Sequence, residues 1–428
     1  MATAISLVAL GVLFLVNMPV AFAIAVATLL YFLNHSEIPV ALMLQRMISG
    51  TESFPLLAVP FFVMAGTMMN YTGISNRIMT LAEVLTGHMT GGLAQVNVLA
   101  STLCGGLCGS ANADAAWQGK ALVPQMVKRG YSNAFSSAIT ASSALISPII
   151  PPGIGLIIFG FTADVSIGKL FIAGIVPGVL MCAALMFVVY QVSKRRGYLP
   201  SRETAPSLRE VWRAFLDAAW ALFLPVAIIG GIRFGVFTPT EAGAMAVVYS
   251  FIIGAFAYRE LKWEHAPAII QESLNATAVV MLIVAAAAAF GWFLSYERIP
   301  QQSAAFLTSL SDSPVVVLLI LNAALLVVGM FIEGTAALII LTPILMPAIN
   351  ALGVDPVHFG IVLVVNLTIG AVTPPLGTVM YTTCSITGAR IDEFTRENIP
   401  FLGVLIVVLL LLTLFPDISL FLPRLLMS

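Results

Sequence analysis

Two proline pairs, Pro151-Pro152 and Pro374-Pro375, stand inside long apolar stretches of the chain. Proline has no backbone N–H and its ring clashes with the preceding turn. Each pair therefore interrupts any helix that carries it and strips upstream carbonyls of their partners. Composition says where this happens. The 428 residues are 60% hydrophobic and only 9% charged, whereas soluble chains carry about 25% charged residues. The protein is thus a polytopic membrane protein, and in lipid unpaired backbone is tolerated only where protein buries it or where it lines a watery cavity. The fold class that follows is all-α, with helices broken on purpose.

The first pair closes a longer unusual stretch, residues 104–155. A glycine-rich polar tip (GGLCGSANAD, 105–114) stands at one end and SPIIPP (147–152) at the other. A shift of 223 residues carries Pro124 onto Pro347, Gly130 onto Gly353, Pro151 onto Pro374, Pro152 onto Pro375 and Pro177 onto Pro400. That coincidence, in the same order of apolar blocks, indicates two repeats of about half the chain each. The second copy holds the tip Glu333-Gly334-Thr335 and the break Thr373-Pro374-Pro375. Discontinuous helices in paired repeats are how secondary transporters build ion and substrate sites.

Apolar blocks place the spans. Residues 4–33 hold about thirty mostly apolar positions around Asn17-Met18-Pro19, against about twenty for one crossing, so they form either one long tilted helix or two short spans. Residues 37–50 are short and amphipathic and suit the interface. A span at 54–71 and a polar segment at 73–92 follow, then a re-entrant hairpin over 93–127, a broken helix over 133–161 and a span over 169–190. The one clear boundary is 194–213, which carries Lys194, Arg195, Arg196, Arg202, Arg209 and Arg213. By the positive-inside rule it is cytoplasmic, and it joins a first repeat (1–193) to a second (214–428). There, spans at 218–234 and 241–258 precede a charged amphipathic stretch at 259–272 and a span at 276–295. A polar loop at 296–313, a hairpin over 314–349, a broken helix over 357–384 and a last span at 401–422 complete the chain. Counting crossings from the linker puts Arg77, Lys128, Arg129, Arg259, Lys262, Arg390 and Arg396 inside as well. The first hairpin then enters from the cytoplasm and the second from outside, so the repeats have inverted topology. That symmetry favours two short spans in 4–33, with both termini outside.

The tips carry the chemistry. Glycines let the backbone turn and approach a ligand closely. Ser110 can cap the helix that starts after it, with Asp114 in its first turn. The tip carbonyls, with oxygens of Ser110 or Asn112, can also hold a sodium ion, because hard cations take oxygen ligands. Residues 147–152 would face this tip, and the second tip with Thr373-Pro374-Pro375 would form a mirrored site. Glu333 is either a site residue or a helix-end residue in a vestibule. Helix N-termini freed at both tips suit an anionic substrate such as a carboxylate. His35, His88, His265 and His358 fall near span ends or in loops, and the five tryptophans suit interfaces or packing. Cys104, Cys108, Cys182 and Cys384 lie in apolar context without a neighbouring histidine set, which is a packing pattern. The apolar N-terminus has no basic n-region and does not read as a cleaved signal. The net charge of −1 points to no nucleic-acid partner. No nucleophile with a positioned base, phosphate loop, metal-ligand spacing or ATP-hydrolysing motif is present, so an enzyme is not expected and no cofactor beyond a coupling ion.

Three motifs, GSANAD (109–114), ISPIIPPG (146–153) and RFGVFTPTEAGA (233–244), resemble the large M subunit of tripartite ATP-independent periplasmic (TRAP) transporters, the DctM-like family, over essentially the whole chain. Asn112 fills a variable position of the first motif. The resemblance implies sodium-coupled uptake of an organic anion, such as a C4-dicarboxylate or a sialic acid, across the bacterial inner membrane. It implies two partners, a small four-helix membrane (Q) subunit and a periplasmic binding protein. Because the chain begins at its first M-type span, the small subunit is expected as a separate polypeptide. It implies an elevator-type fold like that of sodium-coupled dicarboxylate carriers of the ion-transporter superfamily. Carried onto matching positions, a first sodium site would use Gly109, Ser110, Asn112, Ser147, Ile150, Pro151 and Gly153. A second would use Gly334, Thr335, Val372, Thr373 and Pro374. Substrate would lie near Asn112, Pro152, Thr335 and Pro375. The alternative is a stand-alone dicarboxylate carrier or exchanger that works without a binding protein. A membrane enzyme or a passive scaffold leaves the paired breaks unexplained.

Overall fold

The computed structural model describes residues 2–16, 18–35 and 37–427, apart from the side chains of Ala2, Leu15, Leu107 and Cys108. Asn17, part of the expected first break, and the expected packing of Cys108 lie outside the described residues. Among the described residues every regular element is helical, and eight helices are long and apolar enough to cross a membrane.

The first half contains α1 (Ala2–Leu15), α2 (Val20–Leu33), α3 (Val40–Thr51), α4 (Ala58–Tyr71), α5 (Ile74–Thr86), α6 (Gly92–Cys108), α7 (Ala111–Ala121), α8 (Val123–Lys128), α9 (Asn133–Ala144), α10 (Ile154–Thr162) and α11 (Ile167–Arg196). The second contains α12 (Leu208–Arg233), α13 (Pro239–Ile252), α14 (Ala266–Tyr296), α15 (Ile299–Leu310), α16 (Pro314–Phe331), α17 (Gly334–Ala351), α18 (Pro356–Gly370), α19 (Thr378–Thr387), α20 (Ile391–Leu414) and α21 (Asp417–Leu426). Shifting by 223 residues lays the bounds of α6 on α16, α7 and α8 on α17, α9 on α18, α10 on α19, and α5 on α15, to within two or three residues. Residues 4–33 are two helices, and α1 packs against α2.

Several expectations are corrected. The polar segments at 73–92 and 296–313 are not mere connections, because each holds a helix. α5 buries Ile74, Ile78, Leu81 and Ala82, positions spaced to share one face, and α15 buries Pro300 and Leu307. The linker 194–213 shrinks to residues 197–207. α11 runs on through its basic residues to a left-handed Gly197, and a capping box of Ser207 and Glu210 starts α12. The amphipathic stretch at 259–272 and the span at 276–295 largely merge into the single helix α14, whereas α3 and α4 stay separate. The last span ends at Leu414, ahead of Pro416, and α21 follows as a separate amphipathic helix.

Packing concentrates the helices in two groups, which meet where α5 and α4 lie on α6 and where α14 and α15 lie on α17. α2, α3, α4, α13 and α14 pack on one another, and α12 lies against α5. α6 through α11 and α16 through α20 form the other group, in which the halves cross. α7 packs on α19, α17 on α10, α9 on α20, and α11 on α18 and α20. α9 is buried on all sides from Ala134 to Ala144, which its small Ala, Ser and Thr side chains allow. Its hydroxyls turn inward to carbonyls or partner side chains, as with Ser136 to the Ser132 carbonyl and Thr140 to the Ser136 carbonyl.

Candidate functional site

The first tip is a two-residue turn between α6 and α7. Gly109 adopts φ 59°, a left-handed conformation that glycine reaches without penalty. A Cβ there would stand 2.6 Å from the Pro152 carbonyl oxygen, so the position needs glycine for room as well. The Gly109 carbonyl accepts a hydrogen bond from Ile154 N–H at 3.2 Å. That bond ties the tip directly to the start of α10, past the proline pair. Ser110 is the N-cap of α7 and accepts from Ala113 N–H at 3.5 Å.

Between α9 and α10 the chain passes through turns at 145–153, and the Pro151-Pro152 bond is cis. Ser147 is tied to the carboxylate of Asp114. Its hydroxyl donates to Asp114 Oδ2 at 3.0 Å, and Gln118 Nε2 donates to Asp114 Oδ1 at 2.9 Å. Gln118 also reaches Ser101, whose hydroxyl donates to Ser143 at 3.0 Å. Ser143 in turn donates to Asn97 Oδ1 at 2.8 Å, and Asn97 donates to Thr140 at 2.7 Å. All these side chains are buried. α6, α7 and α9 are therefore fastened together by a polar chain behind the tip.

The second tip repeats the plan with different side chains. Glu333 is the N-cap of α17, its Oε2 accepting from Ala336 N–H at 3.1 Å. Where α18 breaks, Ala371 O accepts from Val379 N–H at 3.0 Å and Thr373 O from Gly377 N–H at 3.3 Å. The Thr373 hydroxyl donates to Ile369 O at 2.8 Å, and the Val372 carbonyl accepts from Asn398 Nδ2 at 3.1 Å. Pro374-Pro375 is also cis. α16 and α18 cross backbone to backbone at Gly329 and Gly370. Asn366 of α18 donates to the Asn322 side chain of α16 at 2.9 Å, and Asn322 donates to Thr413 of α20 at 2.8 Å.

Both tips line one cavity of about 570 Å³. Of the positions expected from sequence, Gly109, Ser110, Asn112, Gly334 and Thr335 line it. Ser147, Ile150, Pro151, Pro152, Gly153, Val372, Thr373, Pro374 and Pro375 do not, and form the layer behind or beside the tips, with Pro375 exposed. Pro148, within the 147–152 stretch expected to face the first tip, also lines it, and the cavity takes in Thr67 and Asn70 of α4, Thr368 of α18 and Thr378 of α19, which sequence reading passed over. Asn70 was the discoverable one, an amide near the end of an otherwise apolar span. Glu333 is the only ionisable side chain among the described lining residues, and the N-termini of α7 and α17 both open onto the space. Asn112 is further held by Thr382 of α19, whose hydroxyl lies 3.3 Å from Asn112 Oδ1. Among the four histidines, His358 proves fully buried, with Nδ1 2.8 Å from the Ser419 hydroxyl, and stands apart from the cavity.

Broken helices packed crosswise around a cavity that both tips line, inside a body of membrane-length apolar helices, define a membrane transport protein. The solved structure of the YdaH transporter of Alcanivorax borkumensis has the same fold, with a TM-score of 0.60 at 14% identity over 87% of each chain. Residues 7–418 match the family described as tripartite ATP-independent periplasmic transporter, DctM component. The sialic acid TRAP transporter large permease protein SiaM of Vibrio cholerae is 41% identical over 416 residues, 97% of each chain. The 2,3-diketo-L-gulonate TRAP transporter large permease protein YiaN of Escherichia coli is 39% identical over 405 residues, 94% of each chain. The chain belongs to this family: it is a TRAP transporter large permease subunit, a multi-pass protein of the bacterial inner membrane.

Proposed function

We propose that the subunit takes up a small organic anion, a carboxylate, driven by sodium. The observation that carries this reading is the shared cavity: two helix N-termini and two polar tips from opposite halves of the chain meet around about 570 Å³. Helix N-termini present partial positive charge and unpaired N–H groups to an anion without a buried cation. The substrates named for the relatives, sialic acid and 2,3-diketo-L-gulonate, are both carboxylates.

Sodium would be held beside each tip by neutral oxygens. The first site draws on Gly109, Ser110 and Asn112 with the 147–153 turn, and the second on Gly334 and Thr335 with Val372, Thr373 and Pro374. The residues fit a hard cation, since carbonyl, hydroxyl and amide oxygens dominate both sets. In this reading the halves are inverted repeats. The group of α2, α3, α4, α13 and α14 is the static scaffold, and the crossed group that carries both tips moves against it as an elevator. The grouping in the packing supports that division. A small membrane subunit would brace the scaffold, and a periplasmic binding protein would deliver the anion.

The test is uptake of labelled carboxylates into proteoliposomes holding this chain and its small subunit, with sodium and the binding protein each supplied or withheld. Uptake requiring both is the expected result. Uptake without the binding protein identifies a stand-alone carrier. Uptake that follows a proton gradient and ignores sodium removes the ion sites.

A further inference from the structure

The two breaks are supported in different ways. The shift of 223 residues that relates the halves pairs Ile149 with Val372. The Ile149 carbonyl nestles against Gly174 of α11, which a Cβ would strike. The Val372 carbonyl instead receives a hydrogen bond from Asn398 of α20. Position 175, the counterpart of Asn398, is isoleucine, so only the second break has an amide beneath it.

That amide has two ends in use. A carbonyl only accepts, so Nδ2 must face Val372, and Oδ1 is left for a donor. The donor is the hydroxyl of Ser142 on α9, at 2.7 Å. Asn398 is 1% exposed and Ser142 and Val372 are 0% exposed. Neither bond competes with water, and loss of either partner strands a polar group in the core. α9 leads into the first break, where Ser143 and Ser147 connect to the polar chain behind the first tip. One side chain therefore touches the second break and the arm of the first.

We infer that Asn398 is a positioning residue that couples the two ion sites. It fixes the Val372 carbonyl at the second and transmits the set of that break, through Ser142, to the helix that builds the first. This rests on the sodium sites proposed above. A sodium ion that settles the second break biases α9 toward its ion-binding geometry, so the two sites fill together.

The experiment is hydrogen exchange on the purified complex of this chain with its small membrane subunit, titrated with sodium chloride against choline chloride. Peptides spanning 105–116 and 331–338 report the two tips. In the wild type both tips gain protection over one sodium range. In Asn398→Ala and Ser142→Ala the two midpoints separate by about tenfold, as expected for loss of one buried hydrogen bond. Ser142→Thr, which keeps the hydroxyl, restores a common midpoint. Ser142→Ala removes one oxygen atom and keeps the experiment decisive if Asn398→Ala does not fold. If both tips respond to sodium and keep a common midpoint in Ser142→Ala, the coupling role is refuted while the sodium sites stand. If neither wild-type tip responds to sodium, the sites themselves fall and the coupling with them.

Discussion

The crossing of α16 and α18 can be tested by adding one methyl group. A Cβ on Gly370 would stand 2.6 Å from both Cα and the carbonyl carbon of Gly329, where ordinary contact begins at 3.4 Å. The obstacle is backbone, so no side chain can swing away, and α16 must withdraw by about 0.8 Å or the helices must part. Overpacking of this kind costs about 1–3 kcal/mol. The displacement also travels a short way. Gly329 lies one turn before the tip, so Glu333, Gly334 and Thr335 move with α16. Gly370→Ala is therefore expected to lower the apparent unfolding temperature and to raise the sodium concentration for half-maximal uptake. The control is Gly403→Ala on α20, an exposed position where a Cβ meets nothing within 4 Å. There, reduced unfolded-state freedom is expected to stabilise by about 0.4–1 kcal/mol. Thermal unfolding of the solubilised variants and sodium-titrated uptake in proteoliposomes check both. A Gly370→Ala protein that matches the wild type in both assays refutes the tight crossing and its link to the second tip.

Three further outcomes are expected. Ser110→Ala costs about 1 kcal/mol of cap energy at α7 and raises half-saturating sodium in the same uptake assay. Thr373→Ala raises it less, because the Thr373 hydroxyl is already committed to Ile369 O; a larger effect from Thr373 would reverse that ranking. Asn366→Leu alone strands Asn322 and costs about 1–3 kcal/mol, whereas Asn322→Leu with Asn366→Leu costs less than the sum, read as a double-mutant cycle of thermal unfolding. A cysteine at the exposed Glu203, in the loop joining the halves, is expected to react with an impermeant thiol reagent only from the cytoplasmic side, and labelling from outside would invert every hairpin direction.

What could be read from sequence was punctuation. Proline and glycine act locally, so Pro151-Pro152, Pro374-Pro375 and Gly109 announced breaks and a turn that the structure places where expected. Ser110 as an N-cap was equally local. Helices α5 and α15 were obscured because their polar faces dilute the apolar signal. A span-length average over 73–92 sees Arg77, Glu83 and His88 and misses the i, i+4 spacing of Ile74 and Ile78. The merger of two segments into α14 was missed because Glu272, Ser273 and Asn275 read as a polar boundary, although nothing between residues 272 and 276 stops a helix.

The site was legible in outline and not in its inner layer. Which residues approach a tip follows from the breaks, but which side chain satisfies a freed carbonyl depends on contacts far apart in sequence. Ser147 stood out by its place beside the prolines, but its bond to Asp114 was not legible, because that partner is reached only where α7 folds back on α9. Thr413 gave a fainter signal, as a polar residue of the apolar last span, and Asn398 was masked by the charged Arg396-Glu397 just before it. In a membrane interior such residues must find partners, so their presence announces that something nearby lacks one. The breaks supply that need. Asn398 meets that need at the Val372 carbonyl of the second break.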